Sequence, residues 1–334
     1  NTTAADIESF PDFNFPLSAS RRLELPEQIN RLRNIFFKGS FTGFITDFVA
    51  YGSFQTGLGN LKSDLNVSNS EASSELAYTG KLSADRFQLG KLLESEAVLG
   101  STSFDLSVSG EGLEFESMQA DLKGEVQSIE INQYRYQNIQ LNGALEKRLI
   151  TGDLALNDPN GSLQFNGSID LSQELPVMKF NATVDSLDLF ALHLSDRDTN
   201  AILSTSVAFN LTGNSVNNIV GTASLNNISY REEEQTYTLN KAQITGAQTA
   251  KGRKLSLETD HLNGYVEGQF NTVQLPATLQ YMAQYIMPNL FGEQIGKPDK
   301  KEVFDLQLKV GKESELTELF LGVAAFKDDI ELNI

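Results

Sequence analysis

The chain has 334 residues, of which 40% are hydrophobic and 21% charged, and its 26 basic and 44 acidic residues give a net charge of −18. This charge argues against nucleic acid as a partner and against electrostatic docking on an anionic membrane surface, because both depend on Lys and Arg. The absence of Cys excludes disulfides, thiolate nucleophiles and Cys-ligated zinc, and no apolar run reaches the roughly 18 residues that a membrane-spanning helix needs.

The first predicted elements in chain order are a polar leader or linker over residues 1–24 and a short helix at Pro26–Phe36. Proline favours the first helical position, and Ile29, Leu32 and Phe36 share one helical face. We therefore expect an amphipathic helix just before the first strand.

Alternating apolar and polar residues dominate residues 25–275, and this period of two predicts strands. Turn signals separate the runs, as at Asp158-Pro159-Asn160-Gly161 and Gly213-Asn214-Ser215. The pattern predicts about 16 to 20 strands. Because no helix-length segments separate them, we expect the sheet to be antiparallel.

A second amphipathic helix is predicted within residues 276–291. The segment Pro276–Met287 begins with proline and places four apolar residues at helical spacing: Leu279, Met282, Ala283 and Ile286. We favour a helix that covers the core at one end of the sheet over one that docks on a membrane or a partner. Strands are predicted to continue over residues 292–334.

The number of strands limits the shapes that the sheet can take. A twisted open sheet rarely exceeds about 10 strands without curling, splitting or flattening. A closed barrel, a two-sheet sandwich and an open gutter therefore remain. An outer-membrane barrel is disfavoured because Phe104, Phe165, Phe180 and Phe209 lie within strands, whereas such barrels carry aromatic girdles at their rims, and because the chain has no Trp.

Several segments resemble the TamB/AsmA-like family of bacterial envelope proteins, and the overall cadence is most similar to the TamB homologues of Bacteroidota. The segments that carry this resemblance are Lys38–Phe44, Asp47–Gly52, Gln55–Gly59, Tyr78–Leu92 and Leu257–Gly264 with Val266, Gly268 and Phe270. The resemblance implies a β-taco, which is a long, curled, mostly antiparallel sheet with an apolar concave side, as in bridge-like lipid-transfer proteins. It also implies that this chain is a middle portion of a protein tethered to the inner membrane.

The resemblance implies a lipid-transfer and assembly function in the periplasm of a Gram-negative cell envelope. Phospholipid acyl chains would travel between the inner and outer membranes in the apolar groove, and about 16 strands spaced about 4.8 Å apart would line about 75 Å of it. One alternative is a periplasmic scaffold that helps to assemble outer-membrane β-barrel proteins or autotransporters by β-augmentation, with a TamA- or BamA-type barrel as partner. A second alternative is a surface β-solenoid adhesin.

The alternation also predicts which residues line the groove, although each bulge can shift the phase. The predicted lining consists of the apolar residues at every second position along the clearest strands: Phe104, Leu106, Val108, Leu154, Leu156, Leu163, Phe165, Phe180, Val184, Leu203, Val207, Phe209, Leu211, Leu255, Leu257, Leu306 and Leu308. In a gutter these side chains meet lipid, whereas in a sandwich they pack on each other as an ordinary core.

The sequence offers no motif for catalysis or for binding a metal or cofactor, so we expect a non-enzymatic protein without either. His193 and His261 are far apart and lack a metal-ligand spacing or a nucleophilic partner. The Asp196–Asn200 segment has a calcium-like D-x-D-x-N spacing, but it lacks the glycine and the distal glutamate of an EF-hand loop. We interpret it as a polar turn.

Overall fold

The computed structural model describes residues 31–32, 34–44, 47–69, 75–112, 114–195, 200–286, 302–311 and 330–333. The chain divides into two compact units. The first unit contains Asn1–Ser172 and Asp185–Asn200, and the second contains Gln173–Val184 and Ala201–Ile334. The sequence pattern placed no boundary at these positions.

The first unit is an antiparallel meander with one short helix. Its elements are β1 (Phe36–Phe44), β2 (Asp47–Thr56), β3 (Gly59–Asn69), β4 (Leu76–Gln88), α1 (Leu89–Leu92), β5 (Leu99–Glu111), β6 (Gln119–Ile131), β7 (Tyr134–Glu146), β8 (Leu149–Asp158) and β9 (Gly161–Asp170). Each strand from β1 to β8 pairs with the next one. Two-residue turns make this possible: Asn132-Gln133 and Lys147-Arg148 have positive φ at both positions, as a hairpin turn matched to the strand twist requires.

The second unit continues the same architecture. β10 (Val177–Asp188) contributes its first eight residues to this unit and its last four to the first unit. The remaining elements are β11 (Ala201–Thr212), β12 (Val220–Glu232), β13 (Gln235–Thr249), β14 (Gly252–Thr259), β15 (Leu262–Gln269), α2 (Leu275–Ile286), β16 (Val303–Val310) and β17 (Ile330–Asn333). From β11 onward each strand again pairs antiparallel with its successor.

The predicted fold class is confirmed. The described residues form an almost entirely β structure, the sheet is antiparallel and not closed, and the two helices within them are short. The helix predicted at Pro276–Met287 is found at Leu275–Ile286.

The helix predicted at Pro26–Phe36 is wrong over its described part. Residues 31–32 form a turn, Ile35 makes a strand bridge and Phe36 begins β1. Apolar residues at helical spacing were a weak signal here, because Ile35 and Phe36 can equally join a sheet. The predicted leader and the start of that helix lie outside the described residues, as do most of residues 287–329.

Bulges shift the side-chain alternation along the strands, as expected from the sequence. In β4 the pairing with β5 slips between Ala84 and Phe87, and the extra residue Arg86 has φ 48°. Phe87 then pairs with Thr102, which alternates with Phe104, so the slip moves Phe87 onto the same face as Phe104. Phe87 is 3% exposed, and strict alternation along β4 would have placed it on the opposite face.

Candidate functional site: the apolar face of the sheet

The register of the first unit places apolar side chains of nine strands in one row. Directly opposed residues of an antiparallel pair point to the same face, so the row can be followed from strand to strand. It contains Phe37, Phe54, Leu61, Ala84, Phe104, Val126, Ile139, Leu156 and Leu163. No polar residue interrupts it.

Three further rows lie on the same face and consist of apolar side chains and glycines with two polar exceptions, Ser63 and Tyr78. We call these four rows together the apolar face of the first unit. The opposite face is polar: one of its rows contains Ser40, Tyr51, Asp64, Lys81, Ser107, Lys123, Asn142, Asp153 and Asn166. The first unit is therefore a strongly amphipathic sheet.

The apolar face of the first unit is only partly shielded from solvent. Most of its side chains, such as Leu106, Leu141 and Leu154, are half-buried, and Ile150 keeps 40% of its surface exposed. Side chains between the two sheets of a sandwich are fully buried, because each sheet covers the inner face of the other. The described residues of this unit therefore do not form a second layer over this face.

The structure places seven predicted lining residues of the first unit together on this apolar face. They are Phe104, Leu106, Val108, Leu154, Leu156, Leu163 and Phe165. Leu156 is buried, and the other six are half-buried. Period-two alternation was sufficient to find them because none is separated from its neighbours by a bulge within its own run.

The second unit has an apolar face of its own, built in the same way. Phe209 faces Ala223 and lies 4.7 Å from the Phe180 ring, between centroids. Ile244, in the same row as Phe209, keeps 40% of its surface exposed. The other predicted residues of β10 and β11 are Val184, Leu203, Val207 and Leu211, and of these Leu203 lies beyond a bulge in the pairing with β12.

Helix α2 covers part of this second apolar face. Leu275 of the helix is 8% exposed and forms a hydrophobic cluster with Val266 and Leu306, against which Leu255 and Leu279 also pack. The predicted lining residues Leu255 and Leu306 therefore lie in a protein core beneath the helix. Of the remaining two, Leu257 faces Gly264 and Leu308 faces Leu332 in the adjoining row.

A small core at one rim of the first unit was not found from the sequence. The turn after β10 places Leu192 at 1% exposure, and its carbonyl oxygen accepts a hydrogen bond from the Tyr136 hydroxyl at 3.1 Å. His193 packs edge-on against Tyr134, with 5.9 Å between ring centroids, and its Nδ1 lies 3.0 Å from the Asn132 carbonyl oxygen. His193 is thus a packing residue, and the signal for this core is the Tyr134–Tyr136 pair that follows a hairpin turn.

The Tyr134 hydroxyl also donates a 2.5 Å hydrogen bond to the buried Asp158 carboxylate. Burial, and then this carboxylate, raise the pKa of Tyr134 above its ordinary value of 10.0. Asp158 further accepts hydrogen bonds from the backbone N–H groups of Gln137 and Asn160, each at 3.0 Å. The carboxylate is thereby committed to holding two turns together.

A cavity of about 680 Å³ lies on the polar face of the first unit. Strands β4 to β8 line it with polar residues, including Lys81, Lys123, Asn142 and Asp153, and with Gly80, Val108 and Leu122 of the row between them. The long apolar side chains of Leu106, Leu141 and Leu154 do not contribute to it.

No family model, curated protein or solved structure matches this chain. The described helices include none with the length and apolar character needed to cross a membrane. Across the same described ranges, no three or more His, Asp or Glu side chains group in a way that could hold a metal ion. The Asp196–Asn200 segment is described only at Asn200.

Proposed function

We propose that this chain is part of an envelope lipid-transfer and assembly protein, which holds phospholipid acyl chains on the apolar face of its sheet. The observation that carries this proposal is the apolar face of the first unit, where four rows across nine strands leave the side chains half-exposed. Monomeric proteins rarely leave contiguous apolar surface of this extent without a ligand, membrane or partner. A periplasmic location and a tether to the inner membrane belong to the same proposal.

The physical chemistry of an open sheet suits acyl chains. A fully buried CH₂ group gains about 0.8 kcal/mol, so a chain of about 14 CH₂ groups that is half covered by one face gains about 6 kcal/mol. This is enough to hold a chain and too little to trap it. The headgroup can stay in water beyond the apolar rows, so no charge has to be desolvated.

The length of the first unit sets how far it could carry a lipid. Nine strands spaced about 4.8 Å apart span about 38 Å across the meander. A chain that moves along these rows from strand to strand meets hardly any polar side chain, because Ser63 and Tyr78 are the only ones in the four rows. Ser63 is moreover buried, and its hydroxyl donates to the Ala50 carbonyl oxygen at 3.1 Å.

A pair of substitutions on neighbouring residues of β5 tests this proposal. Leu106 lies on the apolar face and Ser107 on the polar face, and they differ by one position in the same strand. The purified, delipidated chain should take up fluorescent phospholipid from vesicles. Leu106→Asp should keep the circular dichroism spectrum of the wild type and lose most of this uptake, while Ser107→Asp should retain both.

Three results would count against lipid binding on this face. If the wild-type chain takes up no phospholipid and none copurifies with it, the proposal fails. If Leu106→Asp does not fold, the face is covered in solution, since a carboxylate is tolerated on an open face but not in a closed core. Equal uptake by the two variants would show that the lipid binds elsewhere.

A second candidate function rests on the sheet being open. The edges of an open sheet offer backbone N–H and C=O groups to which an extended strand can add. The cargo would then be nascent outer-membrane β-barrel proteins or autotransporters, with a TamA- or BamA-type barrel as partner. A photoreactive residue at Ser40 in β1 should crosslink to unfolded barrel protein under this candidate, whereas one at Leu106 should crosslink to lipid under the first.

A further inference from the structure

Arg253 is a buried cation at the end of the apolar face of the second unit. It lies in β14 two residues before Leu255, and its partner across β15 is Gly268, so it shares the face of Leu255 and Leu257. The residue is 7% exposed. Burial lowers the pKa of the guanidinium from its ordinary value, and the group remains charged.

Within the described ranges, the groups that contact this charge are neutral. Its Nη1 donates to the Thr272 hydroxyl, its Nη2 donates to the Val216 carbonyl oxygen at 2.5 Å, and the guanidinium carbon lies 5.6 Å from the centre of the Phe270 ring. The buried Nε has no hydrogen-bond partner. Among the described carboxylates, none comes within ion-pair distance of Arg253.

The carboxylate of Glu302, in the same corner of the unit, is already in use. It accepts hydrogen bonds from the Asn271 N–H at 2.8 Å and from the Thr278 hydroxyl at 2.9 Å. These contacts hold the start of α2 and leave the guanidinium to neutral acceptors. A buried charge is costly unless it is paired, and here three neutral neighbours replace the expected anion.

We propose that Arg253 binds the anionic headgroup of a single-chain amphiphile whose acyl chain lies on the apolar face of the second unit. The proposal rests on the function proposed above and names the chemistry at the end of that face. A carboxylate would accept hydrogen bonds from the Nε–H and the neighbouring Nη–H, the fork geometry in which arginine binds carboxylates. Ile244, 40% exposed on this face, offers apolar surface on the neighbouring strand β13.

Oleate and oleyl alcohol distinguish the contribution of the headgroup to binding from that of the acyl chain, because they share the same hydrocarbon and differ in charge. Affinities for both are measured with the delipidated full chain. A charge-assisted hydrogen bond is worth about 1.5–3 kcal/mol, so the wild type should bind oleate about 10- to 100-fold more tightly than the alcohol. Arg253→Met should abolish this preference and keep the affinity for the alcohol, and Arg253→Lys should retain part of the preference.

Lys254 provides the matched control. It is the next residue of β14 and points to the opposite face, where its ammonium lies 4.0 Å from the centre of the Tyr265 ring. Lys254→Met therefore removes the same charge from the same strand and should leave the oleate preference unchanged.

Each outcome bears on one proposal or the other. If the wild type binds neither amphiphile, the lipid function proposed above fails. If it binds both equally, or if Arg253→Met keeps the oleate preference, then lipid binding stands and Arg253 is only a clamp between the loops at Val216 and Thr272. If Arg253→Met does not fold, the wild type and Arg253→Lys still decide the question. A preference for oleate over oleyl alcohol that is smaller in Arg253→Lys than in the wild type supports the proposal, and equal affinities of the wild type for the two amphiphiles contradict it.

Discussion

Truncating one apolar side chain on the open face and one in the rim core tests whether the apolar face is uncovered. Leu192 is 1% exposed and Ile150 is 40% exposed, and both lie in the first unit. Substitution by alanine removes three carbons from either side chain. We expect Leu192→Ala to lower the free energy of unfolding by about 3–5 kcal/mol, because about 2.4 kcal/mol of transfer energy is lost and a closed cavity remains.

The expected cost of Ile150→Ala is much smaller. About 60% of the side chain is shielded, so the transfer loss is about 1.4 kcal/mol, and no cavity remains because solvent can enter the space. Urea unfolding followed by circular dichroism measures both variants against the wild type. If Ile150→Ala costs as much as Leu192→Ala, another layer covers this face in solution, and the reasoning about an open face is refuted.

Three further predictions concern other parts of the fold. Tyr134→Phe should lower stability by about 1–2 kcal/mol near neutral pH by removing a hydrogen bond to the buried Asp158. Because the folded-state pKa of Tyr134 is raised, the stability that its hydroxyl contributes is fully present below pH 10 and is lost as the pH rises through the folded-state pKa. Urea midpoints should therefore fall less steeply with pH above pH 10 in Tyr134→Phe than in the wild type. An unchanged slope would contradict this. Gly80→Ala should destabilise the chain more than Gly143→Ala, since an added Cβ would lie 2.0 Å from a backbone oxygen at Gly80, where φ is +146°, and 3.0 Å at Gly143; similar urea midpoints would show that the strands can adjust. Leu275→Asp should detach α2 from the sheet and speed amide hydrogen exchange in that helix, and unchanged exchange would mean that the helix is held by other contacts.

Local patterns were sufficient to predict the strands, their antiparallel pairing and helix α2. The reason is that period-two alternation and two-residue turns act within a few residues, as at the Asp158–Gly161 hairpin between β8 and β9. The helix predicted at Pro26–Phe36 shows where local patterns are insufficient. Its last residue, Phe36, pairs with Gln55 of β2 instead, and no pattern within the segment indicates that partner.

The sequence predicted which face of the sheet the candidate residues share, but not which of them other parts of the protein cover. Alternation assigned Leu106 and Leu255 the same expected role, and each lies on the apolar face of its unit. Leu106 lies in the half-exposed rows of the first unit, whereas Leu255 packs in the cluster that includes Leu275 of α2. No pattern within β5 or β14 distinguishes the two, since the difference comes from a helix that follows β15.

The sequence by itself determined that the chain is an amphipathic antiparallel sheet, because the alternation of side chains across a strand is a local property of the backbone. Only the tertiary structure decided which parts of the apolar face are covered, where Phe87 points after its bulge, and that Arg253 is buried with no carboxylate of the described residues within ion-pair distance. These features depend on which distant segments come together, and the local sequence around a residue does not determine those long-range contacts.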